Sequence, residues 1–245
     1  MVEHIASSQK KEYSMPMDNV KVISLGGSIV APSSPDTLFL SNLKKLISSY
    51  LDEDKNRKLI FVVGGGGPAR LYQSAAKELL PTIKSDSLDW IGIMATRLNA
   101  QFVKEIFYPY CIDPVVTDPS APFTFNGQLL LAAGWKPGFS TDADAVFLAK
   151  KCNATTIINL SNISKIYSDD PKKNPNAVPI DHLTWEQYKN MIGQEWVPGK
   201  NSPFDPVATK EASAAHLTVI TASGKDLENI SNILYGKEFI GSTIS

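Results

Sequence analysis

The stretch KLIFVVGGGGPARLY, residues 58–72, decides the fold by the order of its residue types. It opens as a short run that is apolar at its centre, as a parallel strand buried on both faces must be. Four consecutive glycines at 64–67 then break the strand, and Pro68 falls where a helix accepts proline, in its first turn. The same order stands upstream, where VKVISL (20–25) ends abruptly at Gly26-Gly27, a strand closed by a tight turn. Between the two strands, Leu38, Leu40, Leu43, Leu46, Ile47 and Leu51 recur at three- and four-residue spacing, which predicts a helix over 35–51.

The alternation continues to the end of the chain. A helix is expected over 87–108, a strand at PVVT (114–117), a segment without clear period at 123–133, a loop at 134–141 and a helix at 142–151. TTIINL (155–160) reads as another buried strand, and 161–182, rich in Asn, Asp, Pro and Lys, as an excursion in the form of a hairpin. Helices near 183–191 and 205–215, the strand LTVIT (217–221) and a helix near 225–234 complete the pattern. Strands alternating with helices pair in parallel through right-handed crossovers. The expected fold is therefore α/β, a three-layer αβα sandwich on a mostly parallel central sheet. Residues 1–17 are polar and without period, and are expected to form a flexible tail.

Composition removes several classes of function. The 24 basic and 25 acidic side chains leave a formal net charge of −1, without the basic excess of a general nucleic-acid binder. No stretch approaches the ~20 apolar residues that span a bilayer, and the N-terminal residues hold no apolar core of a secretory signal. A cytoplasmic protein with no nucleic-acid and no membrane partner is the expectation. Cys111 and Cys152 lie far apart, and His4, His182 and His216 are scattered, so neither a disulfide framework nor a metal-ligand spacing arises.

Glycine turns at the carboxyl edge of a parallel sheet let backbone N–H groups approach phosphate oxygens, and the following helix adds its positive end. SLGGS (24–28) and VVGGGGPAR (62–70) are both of this kind. Neither is a GxxxxGK[ST] loop nor has GxGxxG spacing. Together with DWIGIMATRLNA (89–100), KPGFSTDADAVFLA (136–149) and NLSNISKIYSDDPKKNPNA (159–177), they resemble the amino-acid kinase superfamily and, within it, UMP kinases of the archaeal type. The resemblance runs in order from Val20 to Ile244, and IYSDDPKKNPNA is its most specific part.

The resemblance implies a single kinase domain over 18–245, with an acceptor lobe at 18–140 and a nucleotide lobe at 141–245. It places ATP phosphates on Ser24, Gly26, Gly27 and Ser28, ATP also on Gly66, and UMP on Gly65. Arg70 would contact phosphate, as a guanidinium fork suits, or else be a solvated helix residue. Asp89 would accept from the UMP ribose hydroxyls or serve as an N-cap. The stretch Trp135, Lys136, Pro137, Gly138, Phe139, Ser140 and Thr141 corresponds to the UMP loop. Ser161, Asn162, Tyr167 and Asp170 correspond to ATP contacts, with Tyr167 alternatively a core aromatic.

Two departures from the family pattern stand out. Many members carry a lysine at the position of Ser24, and the family's N-V-D-G-V-Y reads NISKIY at 162–167. Gly27, Arg70 and Lys165 are accordingly the expected catalytic groups, with Lys165, or else Lys136, replacing the missing lysine; an exposed hairpin lysine is the alternative. The implied reaction is transfer of the ATP γ-phosphoryl group to UMP with Mg²⁺ bridging the ATP phosphates, and no metal ligand is expected on the protein. Two rivals remain: a nucleotide-binding regulatory protein that has lost catalysis, and a kinase acting on an amino acid or carbamate. The family relation also implies a homo-oligomer, a hexamer, and the apolar helix at 87–108 is either core or interface.

Overall fold

The structure is a computed structural model and describes residues 19–171, 173–192 and 202–245. The expected tail at 1–17 lies outside the described residues. In chain order the elements are β1 (Val20–Leu25), α1 (Gly27–Val30), α2 (Thr37–Asp52), β2 (Lys58–Val63), α3 (Gly66–Leu79) and α4 (Ser85–Ile106). There follow β3 (Leu129–Ala132), α5 (Thr141–Lys151), β4 (Thr156–Ser161), β5 (Ile166–Tyr167), β6 (Pro179–Ile180) and β7 (His182–Leu183). The last are α6 (Trp185–Ile192), α7 (Pro206–Ala214), β8 (Thr218–Ser223), α8 (Leu227–Leu234) and β9 (Ser242–Ile244).

The main sheet has seven strands in the order β3-β2-β1-β4-β8-β9-β7. The first five pair in parallel, whereas β9 runs antiparallel to β8 and carries β7 beside it. Alternation of side chains along each strand divides the core in two. Ile23, Leu25, Leu59, Phe61 and Val63 face a layer made of α2, α8 and the C-terminal half of α4. Val22, Ile60 and Val62 face α5, α6 and α7. This is the expected αβα sandwich, and because β1, β2, β4 and β8 are parallel, their glycine- and serine-bearing ends share one edge.

Two expectations change. PVVT does not form a strand: only Val116 bridges, to Ala132, because Pro114 has no N–H to give a ladder. The edge strand is LLLA of β3, buried at every position. The three-residue β9 carries no sequence signal of its own and is defined by its pairing with β8. The excursion does contain a hairpin, β5 against β6.

Candidate active site

The two glycine turns are locked into each other. A Cβ on Gly27 would lie 2.1 Å from the Gly66 nitrogen and 2.5 Å from the Gly64 carbonyl carbon. Gly66 has a φ of +64°, and a Cβ there would lie 2.3 Å from the Gly27 oxygen, so both positions require glycine for space and Gly66 also for conformation. Backbone bonds consume part of the donor set. Gly26 N–H is donated to Leu160 O (2.9 Å), Gly64 N–H to Leu25 O (3.0 Å) and Gly67 N–H to Ala31 O (2.8 Å). The N–H groups of Gly27, Ser28, Gly65 and Gly66 have no acceptor among the described residues. Gly26 therefore shapes the first turn but has no amide to offer a phosphate.

Beside the second turn opens a cleft of about 570 Å³. Its wall includes Gly65, Gly66, Arg70, Asp89, Thr96, Gly134, Gly138, Phe139, Ser140, Thr141, Asp205 and Val207. Three helices begin on this wall: α3 at Gly66, α5 at Thr141 and α7 next to Asp205. The starts of α3 and α5 present unpaired N–H groups and a partial positive charge, whereas that of α7 is closed, Pro206 having no N–H and the next two being taken by Asp205. Arg70 adds a full one, held loosely by one bond of 3.3 Å to Pro32 O.

The loop after β3 is fastened to α4. Asp89 lies inside this helix, whose N-cap is Lys84; it is not a cap, and its Oδ2 accepts from Gly138 N–H at 3.0 Å. Thr96 Oγ1 accepts from Gly134 N–H (2.8 Å) and donates to Ile93 O (2.6 Å). Arg97 donates to Gly134 O (3.3 Å) and Trp135 O (3.0 Å). Of the expected UMP loop, Gly138, Phe139, Ser140 and Thr141 reach the cleft; Trp135, Lys136 and Pro137 do not line it. The Lys136 ammonium sits 3.8 Å from the Trp135 ring centre, a cation–π contact that occupies it elsewhere.

Asp205 belongs to this wall, and two further carboxyl groups, of Asp142 and Asp144, do not line it. Asp205 caps α7, its Oδ1 accepting from Val207 N–H (2.7 Å) and Ala208 N–H (3.0 Å), while Ser140 Oγ donates to its Oδ2. Asp142 accepts from Ser24 Oγ at 2.9 Å. Desolvation, together with the charge of Asp205, pushes the Asp142 carboxyl up to about 7, against the pull of the Ser24 bond. Asp144, 1% exposed, accepts from Trp135 N–H at 3.2 Å through Oδ2, and its Oδ1 has no partner. Burial raises it to about 7 as well.

The remaining expected residues divide. Ser24 is 3% exposed and its hydroxyl is committed to Asp142, so it does not line the cleft. Asn162 donates to Ser28 Oγ at 2.9 Å, which ties the end of β4 to the first glycine turn. Ser161 Oγ accepts from Ile163 N–H at 3.4 Å. Tyr167 lies in β5 of the β5–β6 hairpin and Asp170 in the loop between its strands, near Lys173 at 3.9 Å. Lys165, expected at the reaction centre, pairs with Asp181 and is absent from the cleft wall. Asp142, Asp144, Asp205, Thr96, Arg97 and Asn99 went unassigned in the sequence. Only Asp205 had a local signal, the Asp-Pro start of a helix.

A parallel sheet with interlocked glycine turns, two open helix starts and an arginine on one cleft defines a binder of anionic, phosphate-bearing ligands. The amino acid kinase family profile matches residues 19–222, and the chain belongs to this family. It is 32% identical over 229 residues to the uridylate kinase of Methanospirillum hungatei, covering 91% of this chain and 94% of that one. It is 31% identical over 230 residues to the uridylate kinase of Thermoplasma volcanium, covering 93% and 98%. The crystal structure of uridylate kinase from Archaeoglobus fulgidus superposes with a TM-score of 0.77 at 30% identity, over 92% of this chain and 99% of that one.

Proposed function

We propose that the chain is a UMP kinase, transferring the γ-phosphoryl group of ATP to UMP to give ADP and UDP in pyrimidine nucleotide synthesis. The observation that carries this is the cleft beside the second glycine turn. Free amides of Gly65 and Gly66, the Arg70 guanidinium and the starts of α3 and α5 face one space, and the Asp89 carboxylate lines it too. That arrangement suits a ligand with a phosphate at one end and hydroxyls at the other. The attacking oxygen of UMP is already anionic near neutral pH, so no general base is required. Alignment and neutralisation of charge on the transferring group are the whole task.

Gly27 and Ser28 amides, with Asn162 holding Ser28, form the ATP side of this reading, together with Ser161, Tyr167 and Asp170. Mg²⁺ enters with ATP, where it neutralises phosphate charge. Among the described residues no three His, Cys, Asp or Glu side chains converge on a metal cage. Mg²⁺ is commonly held by one or two carboxylates plus substrate phosphates, and the crowded pair Asp142 and Asp205 fits that demand. The location is cytoplasmic and the assembly a homo-oligomer, a hexamer. Support comes from α4, whose outer face exposes Trp90, Met94, Leu98 and Phe102, a four-residue repeat suited to a second copy of the chain.

The test is an ADP-release assay with Mg-ATP against UMP, CMP, dUMP, glutamate, aspartate and carbamate. Turnover with UMP and none with the amino acids or carbamate is the expected result. Activity on an amino acid or carbamate would overturn the acceptor assignment, and silence in protein that binds ATP would overturn catalysis. Light scattering on the same preparation should give six times the chain mass of 26.7 kDa; a monomer would sink the assembly.

A further inference from the structure

A phosphate seated at the second glycine turn must meet N–H groups there, because a carbonyl oxygen facing it would repel it. Every peptide carries both groups. Presenting the amides of Gly65 and Gly66 therefore requires that the neighbouring carbonyls be turned away and satisfied in the interior. Gly64 O receives no backbone donor among the described residues, and Gly65 O receives only Ala69 N–H, at 3.3 Å. The Asn99 carboxamide, on the inner face of α4 and 4% exposed, supplies what is missing. Its Nδ2 donates to Gly64 O at 2.9 Å and to Gly65 O at 3.1 Å. Both of its amide hydrogens are spent on this one turn.

We propose that Asn99 is a positioning residue for phosphoryl transfer: it grips the Gly64 and Gly65 carbonyls from behind and so aims the Gly65 and Gly66 amides at the acceptor phosphate. Asn99 touches no substrate and acts only through the turn. The proposal rests on the UMP kinase reading above and adds the device that sets the polarity of its phosphate site.

Asn99→Asp keeps the shape and replaces both donors by an acceptor; Asn99→Ser keeps one donor in a smaller side chain. Dissociation constants for UMP by calorimetry and for uridine by ligand-observed NMR, with steady-state turnover, separate the contributions. With two donors lost, UMP should bind ~10-fold more weakly and turnover should fall ~10²-fold, while uridine, which has no phosphate, should change less than about 2-fold. Asn99→Ser should show the same selective loss at smaller size, and it keeps the test alive if Asn99→Asp does not fold. Parallel loss of UMP and uridine would make Asn99 a mere structural support and overturn the proposal, as would no loss of either. Wild-type protein that fails to turn over UMP would overturn the kinase reading and this proposal with it. Wild-type turnover with non-selective variants would overturn this proposal alone.

Discussion

The two sides of the sheet edge, which the proposal gives to the acceptor and to ATP, are built on different plans. The acceptor side draws on residues far apart in the chain, among them Gly65, Asp89, Gly138 and Asp205. One helix holds much of it in place: α4 bonds the loop after β3 through Asp89, Thr96 and Arg97 and the glycine turn through Asn99. On the other side, the base of the excursion after β4 is tied to β9 and to the first glycine turn, through Ile166 N–H donated to Ser242 Oγ and Asn162 donating to Ser28 Oγ, while the rest of it binds itself. Asp169 accepts from Asp170 N–H and Asn174, Ser168 accepts from Val178 N–H, and Lys165 pairs with Asp181. Long-range fastening to one rigid element gives precise placement and passes a local fault on to the ligand. Short-range bonding keeps a fault local. Substitutions on the inner face of α4 should therefore act selectively on the acceptor, and those confined to the hairpin's own pairs, such as Lys165 with Asp181, should matter little.

Arg97→Ala offers the strongest way to break that contrast. It removes both bonds to the start of the acceptor loop without touching the cleft wall. The KM for UMP should rise ~10-fold, as small misplacements of positioning groups do, while the KM for ATP stays within about 2-fold and Arg97→Lys recovers part of the loss. Equal rises for both substrates would show that α4 supports the whole edge and not one side of it.

A smaller effect, on stability, sharpens the same comparison. Asp144 holds Trp135 N–H from the opposite side, as a buried carboxyl raised from an ordinary 3.8 to about 7. Between those values the folded chain keeps a proton that the unfolded chain has released. Stability contributed by this group thus falls as pH rises through the window, and above about 7 its full cost is present. Asp144→Asn keeps an acceptor for Trp135 and removes the buried charge. Thermal melts should show a Tm gain of roughly 5 °C near pH 8, shrinking at pH 6 and gone near pH 4. A gain independent of pH would mean that Asp144 is not charged in the fold.

The contrast also explains what could be read from the sequence. The strands β1, β2, β4 and β8 were legible because burial on both faces leaves continuous apolar runs. Gly65, Gly66, Arg70 and Asp89, and the loop residues 138–141, were legible because glycine turns, helix starts and the family pattern mark them. Thr96 and Asn99 were not: each is one polar position on an apolar helix, and its partner lies more than thirty residues away. Asp205 was not either, since nothing local links it to Ser140, 65 residues earlier. Trp135 and Lys136 misled for the opposite reason. They sit inside the right stretch, yet a cation–π contact between them satisfies the lysine away from the cleft.

Lys165 is where the two plans give the smallest expected effect. As a substitute for the family lysine, it would neutralise charge on the transferring group, and Lys165→Met would cost ~10²-fold in turnover. In the structure its ammonium is engaged by Asp181, an exposed carboxylate of the same excursion. A partly exposed pair of this kind contributes about 0–1 kcal/mol, and breaking it leaves the glycine turns and Arg70 untouched. Turnover of Lys165→Met should therefore stay within about 3-fold of wild type, with both KM values unchanged. A large fall in kcat at constant KM would return Lys165 to the reaction centre. It would also show that the excursion swings onto the edge when ATP binds, so that its self-contained bonding describes only the resting enzyme.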